Sequence, residues 1–184
     1  MNDNFITKPG YENARFHQIS TDEVYGSIDE GSFTEEANIS PNSPYSASKA
    51  SADLIVRSFD KTYGLNTVIS RSSNNFGPNQ NIEKFIPKVI NSLNNENNIY
   101  VYGDGKNIRD WIYVEDHSAA IEIIFNNAIK GSIYNIGANN EKTNLEIISI
   151  IAELMNKKIQ AKRLIKFVKD RPGHDKRYSL NTDK

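Results

Sequence analysis
The chain has 184 residues, a formal net charge of −1 and no cysteine. Apolar residues make up 38% and charged residues 24%, which suits a globular domain with a real core rather than a disordered segment. Disulfides, thiolate catalysis and cysteine-ligated metals are excluded, and the charge argues against broad electrostatic binding to nucleic acid or an anionic membrane. No apolar run reaches a membrane span. Met1-Asn2-Asp3-Asn4 lacks the basic and apolar regions of a signal peptide, so the expected location is cytoplasmic.

In chain order, residues 1–14 carry Pro9-Gly10 without periodicity and read as a loose tail. Residues 15–20 predict a strand and residues 24–44 a polar loop. A helix is predicted over 45–63, with Gly64 as its C′ residue. A buried strand follows at Leu65 to Ser70, centred on Thr67-Val68-Ile69. Residues 83–95 place Phe85, Ile86, Val89, Ile90 and Leu93 on one helical stripe. Strands are predicted at Ile99–Tyr102 and Ile108–Tyr113, joined by the turn Gly103-Asp104-Gly105. A helix over 115–129 opens on Glu115 and Asp116, which suit its dipole. Ser132 to Ile136 is a strand, 144–157 a helix capped by Asn144, and Leu164 to Val168 a last strand. Asp170 to Asp175 is polar and turn-rich. Alternating strands and helices without repeats imply an α/β fold.

Two clusters carry the chemistry. Tyr45 and Lys49 stand four apart on a helix and project from one face. An ammonium beside a phenol favours the phenolate, so this pair predicts a base at neutral pH. Thr21, Asp22 and Glu23 add a hydroxyl and two carboxyls where the first strand stops. In open α/β sheets, ligands bind at the carboxyl ends of strands. A base for a hydroxyl proton plus a separate acid/base pair is what an oxidation coupled to an elimination requires. The plain alternatives are a solvated helix face for the first cluster and an N-cap with first-turn acids for the second. For Arg109 the plain alternative is a surface ion pair with Asp110 or Asp104. His17 belongs to the strand, His117 to a helix start, and the dispersed histidines predict no metal site. Trp111 reads as a core or pocket-wall aromatic.

Six segments resemble the dTDP-glucose 4,6-dehydratase family of the extended short-chain dehydrogenase/reductase superfamily. They are Ser20 to Gly26, Ser43 to Ala50, Ser73 to Pro78, Arg109 to His117, Tyr134 to Gly137, and Asp170 to Asp175. The resemblance implies the C-terminal part of a Rossmann-type parallel sheet plus a small α/β substrate-binding subdomain. Residues 15–80 would be the catalytic part of the NAD-binding domain. Residues 81–184 would be mainly the nucleotide-sugar subdomain, with 108–136 returning to the sheet. It further implies a tightly held NAD, with Tyr45 as base for the sugar 4-hydroxyl and Lys49 lowering its pKa. Thr21 would bond the 4-oxygen, Glu23 take the C5 proton and Asp22 protonate the leaving 6-hydroxyl. Asn75 would meet the nicotinamide end and Asn74 the substrate. The nucleotide diphosphate of dTDP-glucose would be held by Lys84, Phe85, Tyr100, Val101, Tyr102, Arg109, Asn144, Asp170, Arg171, Pro172, Gly173 and His174.

No G-x-G-x-x-G segment lies between a strand and a helix, so the expectation is a chain without the N-terminal NAD-fingerprint portion. The loop Ser27 to Asn42 is shorter than the resemblance implies, and Tyr100 stands where it implies a proline. At full length it implies a homodimer through helix 45–63, using Ala52, Leu54, Ile55, Val56 and Phe59. Deoxysugars such as rhamnose are the implied destination. The alternatives are a UDP-glucose 4,6-dehydratase and an inactive fragment that binds only nucleotide sugar. Unpaired sheet edges predict low stability or self-association of the isolated chain.

Overall fold
The computed structural model describes residues 14–184. The tail predicted over 1–14 lies outside them except for Ala14. Strand β1 (Phe16–Thr21) is followed by a 3₁₀ turn, Asp22–Tyr25, and then by a long loop. Helix α1 (Pro44–Tyr63), strand β2 (Thr67–Ser72) and strand β6 (Ile133–Ile136) complete the first layer. β1, β2 and β6 form a parallel sheet in the order β1-β2-β6. Every residue of β2 is buried, as a strand flanked on both edges requires.

The start of α1 follows from local chemistry. Ser43 and Ser46 form a reciprocal capping box, and Pro44 takes the first turn, where its missing N–H costs nothing. Gly64, with φ of 65°, ends the helix in the left-handed conformation the sequence predicts.

Strand β3 (Asn74–Phe76) pairs parallel to β5 (Ile108–Tyr113), which in turn pairs antiparallel to β7 (Glu141–Thr143). β4 (Ile99–Tyr102) pairs parallel to β8 (Ile165–Val168). β4 and β5 are therefore joined by the glycine turn but not hydrogen-bonded to each other. Helices α2 (Phe85–Asn94), α4 (Asn144–Leu154) and α5 (Lys158–Leu164) pack together with β4. Their core holds Val89, Leu93, Ile99, Val101, Trp111, Ile148 and Ala152. Trp111 is 5% exposed and stacks with Phe85. Helix α3 (Val114–Asn127) packs on β2, β5 and β6 around Val68, Ile112, Ile124 and Ile136.

The predicted 144–157 helix is shorter than expected, with the unexpected α5 beyond its predicted end. It stops after Leu154, and Asn156 adopts a positive φ of 56° before α5 begins. Asn144 is not the cap. Thr143 caps α4 in a box with Glu146, whose carboxylate accepts the Thr143 N–H at 2.7 Å. Strands β3 and β7 and the 3₁₀ turn were not expected from sequence. Among the described residues, no helix is long and apolar enough to cross a membrane, and no group of three or more histidine and acidic side chains could hold a metal.

Behind the strand ends lies a buried ion pair. Arg71 Nε donates to Asp53 Oδ2 at 3.0 Å, with both side chains at 1% exposure or less. The guanidinium also lies over the Tyr25 ring, 4.7 Å from its centroid. Removing one partner strands a buried charge. Asp53→Ala is expected to lower stability by ~3–5 kcal/mol in urea unfolding. A loss under ~1 kcal/mol would show that the pair carries no such role.

Candidate active site
The carboxyl ends of β1 and β2 converge on the predicted cluster. Thr21 closes β1 and caps the 3₁₀ turn, its hydroxyl accepting the Glu23 N–H at 3.3 Å. It donates to Asp22 Oδ1 at 3.2 Å. The plain reading of Thr21-Asp22-Glu23 as a cap with first-turn acids thus holds, and it is the cap that sets the two carboxyls on the site. Asp22 is 3% exposed and its Oδ2 is buried without a partner. Burial, reinforced by the charge of Glu23, pushes its carboxyl up to about 7. Glu23 is also raised by burial, against the pull of Arg109.

Tyr45 is the second residue of α1 and remains 55% exposed. Its hydroxyl lies within reach of Thr21, and it feels both Glu23 and Asp22. The expected lowering of its pKa by Lys49 is not found. Burial and the two carboxyls push the phenol up instead. The reason is geometric: Lys49 Nζ donates to the Ile19 carbonyl of β1 at 2.7 Å.

Asn74 and Asn75 lie on β3, just past the end of β2. Asn75 donates to Ser72 Oγ and the Ser73 carbonyl, while its own Oδ1 is buried without a partner. The hydroxyls of Ser20 and Ser73 are likewise buried and unpaired. This leaves a row of polar atoms along one strand-end edge with unused hydrogen-bonding capacity.

Arg109 forms the other wall. It is 8% exposed and makes no ion pair with Asp110 or Asp104. Its Nη1 donates to the Ile108 and Lys176 carbonyls and its Nη2 to the Asp175 carbonyl at 2.9 Å. Its guanidinium covers the Tyr178 ring at 4.2 Å. Asp110 is used elsewhere, accepting the Ala138 and Asn140 N–H groups. Asp22 and Glu23 both feel Arg109, and Glu23 also feels Arg171, Lys84 and Asp175. Arg171 stacks over Tyr102 at 5.2 Å, and His174 Nδ1 lies 2.6 Å from Asp170 Oδ1. Pro172 is exposed, and Gly173 brings its backbone against the Asn42 carbonyl. Lys84 is exposed at the start of α2, and Asn144 is half-buried at the start of α4.

Two expected contact residues sit differently. Val101 is 2% exposed in the core, so only its main chain is available, and Phe85 is half-buried against Trp111. Tyr100 is 61% exposed beside Tyr102. Asn42, Asn107, Asp175 and Tyr178 belong to the site's framework but were not singled out. Asp175 closes the segment Asp170 to Asp175, and the other three carry no motif of their own.

The model of the GDP-mannose 4,6 dehydratase family matches residues 4–184. The chain belongs to that family. Among its relatives, the low-salt glycan biosynthesis protein Agl12 of Haloferax volcanii is 49% identical, covering 92% of this chain and 54% of that protein. The dTDP-glucose 4,6-dehydratase of Haemophilus influenzae is 47% identical, covering 92% and 53%. The solved DesIV, a dTDP-glucose 4,6-dehydratase from Streptomyces venezuelae with NAD bound, superposes with a TM-score of 0.88 at 43% identity. That match covers 91% of this chain and 51% of DesIV. A Bacillus anthracis dTDP-glucose 4,6-dehydratase in complex with NAD gives 0.86 at 46% identity, covering 92% and 53%. The chain spans about half the length of the curated relatives it matches. Its α/β architecture is that of these family neighbours.

The raised Asp22 carboxyl has a thermodynamic consequence. Its folded value of about 7 exceeds the ordinary 3.8, so the folded chain holds this proton more tightly than the unfolded one. That contribution is complete below the ordinary value and is lost as pH rises through the folded one. Wild-type stability in urea is expected to fall between the two values, and Asp22→Asn to flatten that slope. Identical slopes for the two proteins would contradict the assignment.

Proposed function
We propose that this chain carries the catalytic and nucleotide-sugar side of an NAD-dependent dTDP-glucose 4,6-dehydratase. One observation carries the reading: Asp22 is 3% exposed with its Oδ2 unpartnered, next to the second carboxyl, Glu23, and this burial pushes its carboxyl up to about 7. Loss of water across two carbons needs an acid at one and a base at the other. Adjacent carboxyls whose environments differ supply both. The relatives' names and their NAD complexes support the same reading.

The residues fit the nicotinamide-ribose end of NAD. Asn75 Oδ1 is an orphaned buried acceptor, and Lys49 commits a single bond to Ile19. Tyr45, Lys49 and Asn75 would hold that end. Bound there, NAD would supply the hydride acceptor for C4 of the sugar and the hydride donor for C6. Tyr45 accepts the proton of the 4-hydroxyl, and Thr21 holds the 4-oxygen. A carbonyl at C4 acidifies the C5 proton, which Glu23 removes and returns to C5 as C6 receives hydride. Asp22 gives its proton to the departing 6-hydroxyl, which leaves as water. Asn74 contacts the sugar. Arg109, with Lys84, Asn144, Arg171 and His174, meets the diphosphate through charge-assisted donors. Tyr100 and Tyr102, with the main chain of Val101, face the nucleotide.

In this reading residues 15–80 form the catalytic part and 81–184 mainly the nucleotide-sugar part, with 108–136 returning to the sheet. A homodimer through α1 is supported by the exposure of Leu54, Ile55 and Phe59 on that helix. A deoxysugar supplied for glycan assembly is the downstream role, in keeping with the name of the Haloferax relative.

Calorimetry with dTDP and NAD, followed by assay for a 4-keto sugar from dTDP-glucose, tests the proposal. The expected result is binding of both ligands, product formation, and a loss of roughly 10²–10⁴-fold in rate for Asp22→Asn. Bound NAD and dTDP-glucose without 4-keto product would refute it. Binding of dTDP alone would leave a substrate-side half. Parallel rates on UDP-glucose decide the base, since one methyl group is worth only ~1–3 kcal/mol.

A further inference from the structure
Four side chains meet at Asp175, which is 6% exposed, and three of them, Asn42, Asn107 and Arg109, come from distant parts of the sequence. Asn42 Nδ2 donates to its Oδ1 at 2.6 Å. The Tyr178 hydroxyl donates to its Oδ2 at 2.7 Å. Its backbone carbonyl accepts both Arg109 Nη2 at 2.9 Å and Asn107 Nδ2 at 3.2 Å. The Tyr178 ring, so anchored, is the surface on which the Arg109 guanidinium lies. On the other side, Asn42 immediately precedes Ser43, the cap of α1, and Tyr45 follows on its first turn. The Asn42 carbonyl comes so close to Gly173 that a Cβ there would stand 2.6 Å away, and Gly173 has a φ of +67°. Only glycine fits both demands. The contact is therefore built from two independent devices, a side-chain bond and a close backbone approach.

We propose that Asp175 is a positioning residue that clamps the Arg109 wall to the turn presenting Tyr45. One carboxylate holds two donors, one beneath Arg109 and one beside the start of α1, so the spacing between Arg109 and Tyr45 is set by Asp175 rather than by the strand ends alone. A substrate gripped at one end by Arg109 then meets Tyr45 at a fixed distance, as proximity effects in catalysis demand. The inference rests on the reading of Arg109 and Tyr45 as two ends of one substrate site.

The test uses the full chain with three variants. Asp175→Ala removes both carboxylate bonds, which an Asn would keep by turning its amide. Asn42→Ala cuts only the arm to α1. Tyr178→Phe cuts only the Arg109 arm. Amide hydrogen exchange at Ser46, Ala47 and Ser48 is compared with that in β2, and dTDP affinity is measured by calorimetry. For Asp175→Ala the expected result is about tenfold faster exchange at 46–48 with β2 unchanged, and about tenfold weaker dTDP binding, the scale of one lost charge-assisted bond. Asn42→Ala is expected to speed exchange at 46–48 to a similar extent, and Tyr178→Phe to weaken dTDP without touching exchange at 46–48. Unchanged exchange at 46–48 in Asp175→Ala overturns the clamp. So does faster exchange everywhere, or unchanged exchange at 46–48 in Asn42→Ala. If the wild-type chain binds no dTDP, the nucleotide-sugar reading fails on its own, while the exchange comparison still decides the clamp.

Discussion

The parallel register of β1, β2 and β6 is the constraint on which the rest depends. Three strands running the same way end on the same edge, so whatever follows each strand is delivered to one place. Thr21 ends β1 opposite Ser72 of β2, and Ser72 stands opposite Ile136 of β6. The 3₁₀ turn with its two acids, the Ser73-Asn74-Asn75 step and the Gly137 turn are neighbours for that reason alone. α1 crosses from β1 back to β2 and packs on both. Tyr45 at its start therefore arrives beside Thr21, where the chain must enter the helix.

At that edge the electrostatics are arranged by exclusion of water more than by pairing. Asp22 has the hydroxyl of Thr21 as its side-chain partner and no cation in contact, so burial dominates and pushes its carboxyl up to about 7. Arg109 is near enough to matter to both acids but spends its donors on backbone carbonyls. A direct Arg109–Asp22 ion pair would hold the carboxylate ionised and remove its capacity as an acid. Tyr45 follows the same logic. Without a cation on its hydroxyl, the phenol is raised by burial and by two carboxyls. Lys49, in its bond to the Ile19 carbonyl, does not offset that rise.

The long periodic elements were legible in the sequence, and the short ones were not. α1, with Pro44 at its start and Gly64 at its end, is written in local chemistry, and so are β2 and the stripe of α2. β7 is Glu141-Lys142-Thr143, a charged tripeptide that becomes a strand only because β5 lies alongside. β3 likewise exists by pairing with Trp111 to Tyr113. The end of α4 was hidden because Asn156 breaks the helix without glycine or proline. In the site, Tyr45, Lys49 and the Thr21 to Glu23 cluster stood out by residue type and spacing. Asp175 did not, since Asn42 is 133 residues away and nothing local marks the contact. The direction of the Tyr45 shift was misread for a related reason: i,i+4 spacing places Lys49 on the right face, but the Ile19 carbonyl that captures it belongs to another element.

The polar interior behind the site answers a problem of support. A 3₁₀ turn of four residues has little stability of its own, yet it must hold two acids in a dry place. Its last residue, Tyr25, is 2% exposed and donates to Asn135 Oδ1 at 2.8 Å. Asn135 passes the connection on, donating to the carbonyls of Phe33 and Asn181 and, through its backbone, to Glu35. Phe33 stacks on the Tyr25 ring from one direction and Arg71 covers it from another. An apolar core could bury Tyr25 as deeply, but it would leave the rotation of the turn free. Directional bonds fix that rotation, and with it the direction in which Asp22 and Glu23 face. The buried Arg71–Asp53 pair has a local purpose on this view. It anchors the guanidinium that holds Tyr25 from behind, so the desolvation of two charges is exchanged for the orientation of a turn.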